Sequence, residues 1–128
     1  MNDMQPQRLL IVEDELILAM DLKERLVGLG YAVVGTVSTG VEAVAVAQLH
    51  QPDLILMDIR LSGDMDGIAA AWEIRRSHDI PVIFMSAYAD EETRQRTQAT
   101  EPAGFLSKLS SDLDLCTAIE TALAKRQA

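Results

Sequence analysis

Five short apolar runs alternate with five stretches of helical spacing along this chain. Arg8 to Val12 is short and almost continuously apolar, as expected of a strand buried on both faces. Residues 15–29 read as helix, because Leu18, Leu22, Leu26 and Leu29 fall on one face and Gly30 supplies a stop. Tyr31 to Val37, rich in valine, is the second strand. Ser38 or Thr39 caps the next helix, and Glu42 completes a capping box with Thr39. That helix runs to about His50, with Val41, Val44, Ala45 and Gln48 on one side, and Pro52 ends it. Asp53 to Met57 is the third strand. Asp66 caps a helix over 67–77, whose inward stripe is Ile68, Ala71 and Arg75, with Trp72 beside it. Pro81 precedes a fourth strand, 82–85. Asp90 opens a polar helix, 90–99. Pro102 and Gly104 flank a turn into a fifth strand, 104–107. Ser111 or Asp112 caps a last helix, roughly 112–125, with Leu113, Cys116, Ile119 and Leu123 facing inward.

This alternation predicts an α/β fold, a doubly wound five-stranded parallel sheet with helices on both faces and right-handed crossovers. The most apolar runs, the first, third and fourth, belong in the centre. That gives strand order 2-1-3-4-5, a flavodoxin-like arrangement. Residues 8–126 are expected to form one domain, with 1–7 as a frayed tail. In such sheets the ligand crevice lies outside the carboxyl ends of the strands.

Four of the five strands deliver a polar group to that edge. Glu13 and Asp14 follow the first strand, Asp58 the third, Ser86 the fourth, and Lys108 the fifth. Two carboxylates about 4 Å apart repel by about 4 kcal/mol at an effective dielectric near 20. Three together call for a cation, and all-oxygen ligands with open positions suit Mg²⁺. A carboxylate can also act as a nucleophile towards phosphorus. Lys108 and Ser86 are placed to hold the oxygens of a phosphoryl group. Asp64 and Asp66 read as turn and cap residues rather than ligands.

The net charge of −9 leaves no basic patch for phosphates, which argues against nucleic acid and against an anionic membrane surface. Cys116 is the single cysteine, so no internal disulfide forms, in keeping with a cytoplasmic location. No apolar run approaches the roughly 20 residues of a membrane span, and the start lacks the apolar region of a signal peptide.

Together the motifs resemble the receiver domains of two-component response regulators, from Arg8 to about Arg126. They are Val12-Glu13-Asp14-Glu15, Met57-Asp58-Ile59-Arg60, Met65-Asp66-Gly67, Met85-Ser86-Ala87 and Gly104-Phe105-Leu106-Ser107-Lys108. The resemblance implies that Asp58 is the phosphoacceptor. It implies that Asp14, Asp58 and the backbone carbonyl of Arg60 hold Mg²⁺ directly, with Glu13 acting through water. Ser86 would be the switch hydroxyl, Lys108 the phosphate lysine, and Phe105 the aromatic switch, although an aromatic there is also ordinary core. Arg60 and Tyr88 fill the positions that tune phosphoryl lifetime. Their bulk implies restricted water and slow self-dephosphorylation.

Two departures stand out. Leu109 replaces the proline that usually follows the lysine, often through a cis bond, and a cis bond before a non-proline costs about 2.5–4 kcal/mol. The loop from Asp58 to Asp66 is one residue longer than the commonest spacing.

The resemblance implies a signalling domain rather than an enzyme, phosphorylated by a sensor histidine kinase or a histidine phosphotransfer protein. It would act, as a monomer or weak homodimer, on a separate effector. Leu16 to Met20 is apolar throughout, more than one helix face can bury. With Leu18 and Leu22 inward, Leu16 and Met20 either form a docking patch for the phosphodonor or tuck under the loop after the third strand. The chief rival is a receiver-like module that no longer uses phosphorylation, supported by Leu109 alone. A phosphatase of the haloacid dehalogenase type wants a second aspartate two residues beyond the nucleophile, where this chain has Arg60 or Leu16.

Overall fold

The structure is a computed structural model that describes residues 5–87 and 90–127. The elements run β1 Arg8–Val12, α1 Leu16–Gly28, β2 Ala32–Val37, α2 Gly40–His50, β3 Leu54–Asp58, α3 Gly67–Ser77, β4 Val82–Ser86, α4 Glu91–Ala99, β5 Gly104–Ser107 and α5 Asp112–Gln127. The strands form one sheet in the order β2-β1-β3-β4-β5, and every neighbouring pair is parallel. The expected fold is therefore the observed one. Two central strands end on their own polar residues: Asp58 and Ser86 are still in the sheet.

Strand periodicity divides the core in two. Leu10, Val12, Ile55, Met57 and Phe84 point to the face covered by α2 and α3. Leu9, Ile11, Leu54, Leu56, Ile83 and Met85 point to the face covered by α1 and α5. Successive side chains of a strand alternate between faces, so one continuous apolar run fills both layers. Each fully buried side chain of this size contributes about 1.5–3 kcal/mol. That makes the three central strands the most rigid base available for a site.

The helices match the expected inward faces only in part: Leu22 and Leu26, Ile68 and Ala71, and Ile119 and Leu123 are buried as expected. On α1 the buried residues are Ala19, Leu22 and Leu26, and Leu18 is partly covered at the edge of that face, beside Leu22 and Leu56. On α2 they are Gly40, Ala43 and Ala47. Small residues let that helix sit close to the sheet, while Val41, Ala45 and Gln48 are exposed. On α5 Leu115, Ile119, Ala122 and Leu123 are buried, whereas Leu113 is 75% exposed and Cys116 only half-buried. Trp72 stands beside the buried stripe of α3 and is about half-exposed.

The caps follow the sequence closely. Thr39 accepts from the Glu42 amide at 3.1 Å and donates to its carboxylate at 3.1 Å. Asp66 accepts from the Ala69 amide at 2.8 Å, and Asp90 from Thr93 at 2.8 Å. Ser111 accepts from the Asp114 amide at 3.1 Å and caps α5. Of the tail, Met1 to Met4 lie outside the described residues, and the Gln7 carbonyl accepts from Ala32 at 2.9 Å.

Candidate functional site

Asp58 closes β3, the middle strand, and is almost fully buried. Glu13 is buried beside it after β1, and Asp14 next along is exposed. The three carboxylates each present an oxygen within 4.8 Å of the others. Lys108 completes the group. Its Nζ lies 2.8 Å from Glu13 Oε1 and 3.0 Å from Asp58 Oδ2. The lysine is aimed there by the sheet, since its backbone amide donates to the Ser86 carbonyl at 3.0 Å. Asp14, Glu15, Asp58, Arg60, Ser86, Ala87 and Lys108 line an open cleft of about 310 Å³.

The electrostatics are unequal within the group. Burial pushes Asp58 up to about 6, and the neighbouring Glu13 charge adds to this, while Lys108 opposes both. Burial also pushes Glu13 up, but the Lys108 ammonium and the Glu15 amide, which donates to Oε2 at 3.1 Å, outweigh it. Glu13 therefore stays below the usual carboxylate range. Burial works against the Lys108 charge, yet its two carboxylate partners hold its pKa above the ordinary value. One ammonium thus pairs with two of the three carboxylates and leaves Asp14 to the Ser62 hydroxyl. The donor set is all oxygen and carries excess negative charge, which fits a hard divalent cation better than a soft one.

Two sequence expectations meet the loop after Lys108. Leu109 is exposed, and no cis peptide bond occurs among the described residues. The Leu109 amide, which a proline would lack, donates to Ser107 Oγ at 3.0 Å, and the Ser110 amide to the Ser107 carbonyl at 3.1 Å. This turn carries the chain onward while leaving Lys108 on both acids.

The remaining expected residues fall at three distances from the cleft. Ser86 and Arg60 line it, and the Arg60 amide lies 3.4 Å from Asp58 Oδ1. Phe105 sits on β5, partly buried against the α2–α3 side of the core. The Arg94 guanidinium lies 4.7 Å from the centre of its ring. Leu16 and Met20 lie on the outside of α1, 72% and 58% exposed, with Ile17 between them at 81%. They are not tucked under the loop. Tyr88 lies outside the described residues. The sequence reading missed Ser62, whose hydroxyl donates to Asp14 Oδ2 at 3.4 Å. A lone loop serine carries no periodic signal, and only the longer spacing after Asp58 pointed to that loop.

A parallel sheet of this order, with an acidic group and a lysine at its carboxyl edge, defines a receiver-type signalling domain. The chain matches the response regulator receiver domain over residues 9–120 and belongs to that family. It is 39% identical over 120 residues to the transcriptional regulatory protein PdtaR of Mycobacterium tuberculosis, covering 94% of this chain and 58% of that protein. It is 36% identical over 120 residues to the phyllosphere-induced regulator PhyR of Methylorubrum extorquens, covering 93% of this chain and 44% of that one. The chain thus spans about half the length of these curated relatives. Among solved structures it is similar to the signal receiver domain of a modulated diguanylate cyclase from Desulfovibrio desulfuricans. The TM-score there is 0.91, with 36% identity and coverage of 96% of this chain and 98% of that one. Membership of this family places the chain in two-component signalling. No helix among the described residues is long and apolar enough to cross a membrane.

Proposed function

We propose that residues 8–126 form a phosphoryl-accepting receiver in which Asp58 is the nucleophile. The observation that carries this reading is Lys108 Nζ within 3.0 Å of both Glu13 and Asp58 at the mouth of an open cleft. Glu13, Asp14 and Asp58, with the Arg60 carbonyl, are the groups that would hold Mg²⁺. When bound, the ion would offset charge on the incoming phosphoryl oxygens.

The chain's own residues do the rest. An Asp58 carboxylate oxygen attacks phosphorus, an acyl phosphate P–O bond forms, and the P–N bond of a phosphohistidine breaks, returning its electron pair to the imidazole. Lys108 then exchanges its contact with the Asp58 carboxylate for one with a phosphoryl oxygen. Ser86 donates to another, and that pull is passed along β4 to Phe105 on the neighbouring strand. Hydrolysis later returns Asp58 and phosphate. Arg60 and Tyr88 limit the approach of that water, so the acyl phosphate is long-lived and the domain acts as a signal rather than an enzyme.

The donor is a sensor histidine kinase or a histidine phosphotransfer protein, docked against Leu16, Ile17 and Met20. The output is a contact with an effector protein through α4, β5 and α5, in the cytoplasm. Leu109 is the feature that favours a phosphorylation-independent module; against it, Lys108 keeps its contacts with Glu13 and Asp58.

Intact-mass analysis after incubation with acetyl phosphate tests this reading. One phosphoryl group should be gained with Mg²⁺, and none by Asp58→Ala. Equal gain by the variant would overturn it.

A further inference from the structure

The loop 59–66 carries Arg60 and Ser62 over the acidic group. It is seated on the rest of the protein at two places where no side chain fits. At its exit, a Cβ on Gly67 would lie 1.9 Å from the Asp58 carbonyl oxygen and 3.0 Å from Ile59 Cα. The Gly67 amide donates to the Ile59 carbonyl at 2.8 Å, so α3 begins pressed against the backbone of Asp58. Further back along the loop, a Cβ on Gly40 would lie 2.7 Å from the Met65 carbonyl oxygen and 2.8 Å from its Cγ. The glycines with positive φ are Gly30 and Gly63, so Gly40 and Gly67 answer a need for closeness, not for an unusual backbone.

Beside Gly40, Thr39 forms a parallel bridge with Ser62. Thr39 is itself fixed by its reciprocal bonds with Glu42. Ser62 then donates to Asp14 Oδ2 at 3.4 Å. A continuous path runs from the amino end of α2, through the loop, to an exposed carboxylate. Hydrogen bonds from outside a coordination sphere fix the orientation of its ligands, and losing one typically weakens metal affinity. Asp14 is the exposed member of the three, so its carboxylate has the most freedom to lose.

We propose that the amino end of α2 is a positioning element for the cation: Gly40 seats loop 59–66, and Ser62 transmits that seat to Asp14. This rests on reading Glu13, Asp14 and Asp58 as the Mg²⁺ site. An alanine at Gly40 pushes Met65, and the loop with it, by several tenths of an ångström. Neither Gly40 nor Ser62 touches the reacting atoms.

The test is Mg²⁺ affinity of the unphosphorylated full chain, measured by isothermal titration well below the unfolding temperature. We expect Gly40→Ala to weaken binding about tenfold, because the loop also carries the Arg60 carbonyl, and Ser62→Ala about threefold, below the usual range for such bonds because this one is long. Ser62→Thr, which keeps the hydroxyl, should bind as the wild type does. So should Gly28→Ala, a change into open space. A purely structural role for the loop would lower thermal stability and leave these affinities alone.

Wild-type affinity in both Gly40→Ala and Ser62→Ala would overturn the proposal while leaving the proposed function intact. If Gly40→Ala fails to fold, equal affinities for Ser62→Ala and Ser62→Thr overturn it. A wild type that binds no Mg²⁺ overturns the functional reading and this inference together.

Discussion

At the amino ends of the strands, acidic groups are closely matched by donors. Asp53 accepts from the Arg8 amide at 2.8 Å, and Arg126 reaches its carbonyl at 2.8 Å and its carboxylate at 3.8 Å. The Arg8 guanidinium donates to the carbonyls of His50 and Gln51. Tyr31 donates to Glu120 at 2.5 Å, and burial together with that bond pushes the phenol well above its ordinary pKa. At the carboxyl ends, three carboxylates lie together, and the one lysine among them bonds to only two, Glu13 and Asp58. The same sheet thus carries a neutralised end, where helices are stitched to strands, and an unbalanced end, where charge is left for something else to offset. Binding and chemistry belong where the protein's own groups do not complete the set.

The largest way to break this contrast is Lys108→Ala. It leaves Glu13 and Asp58 without their ammonium. We expect folding stability at pH 7.5 without Mg²⁺ to fall by about 2 kcal/mol, reduced from the usual cost of breaking a buried pair because Asp58 can take up a proton. Added Mg²⁺ should restore part of it. Chemical denaturation with and without the ion measures both.

At the neutralised end, Asp53→Ala removes the hub shared by Arg8 and Arg126. Stability should fall by about 1–2 kcal/mol, and phosphoryl uptake per folded molecule should not change. Urea melts paired with intact mass separate the two.

Asp58→Asn has the opposite sign. The folded pKa of about 6 lies above the ordinary 3.8, so the folded state holds its proton longer than the unfolded chain. The stability from this group is fully present below about pH 4 and is lost as pH rises through 6. A two-unit shift corresponds to roughly 3 kcal/mol. Solvent reaches the carboxylate from the cleft, so about 1 kcal/mol is expected. The variant should exceed the wild type by that amount at pH 8 without Mg²⁺ and match it at pH 4. Denaturation across that pH range checks the sign.

The smallest effect is at Arg94, on neither end. Arg94→Ala removes the guanidinium from the Phe105 ring, with an expected loss of about 0.5–1 kcal/mol. Phosphoryl uptake should persist. A narrower fluorine resonance from fluorine-labelled Phe105 would report a freed ring.

Strand order and every residue of the acidic group were legible because strands of period two buried on both faces leave little choice of register. The chain then ends each run on a polar residue. Helix faces were less legible. Small residues such as Ala43 and Ala47 win the inward position by allowing close approach, a preference that a hydrophobic stripe does not register. Leu113 reads as core by spacing, yet Leu115 takes the place, on one stripe with Ile119, Ala122 and Leu123. The seat of Gly40 on Met65 joins residues distant in sequence, and nothing local announces it. The turn at Leu109 needed the Ser107 hydroxyl to be seen in place.

The central claim is that Asp58 carries the phosphoryl group. Borohydride reduces an acyl phosphate to an alcohol, so the modified aspartate becomes homoserine and can be located by peptide mass spectrometry. After treatment with acetyl phosphate and Mg²⁺, the account predicts homoserine at position 58 and at no other acid. Homoserine at position 14, reduction of Glu13, or an unmodified peptide spanning Asp58 in protein that has gained phosphoryl mass would contradict it.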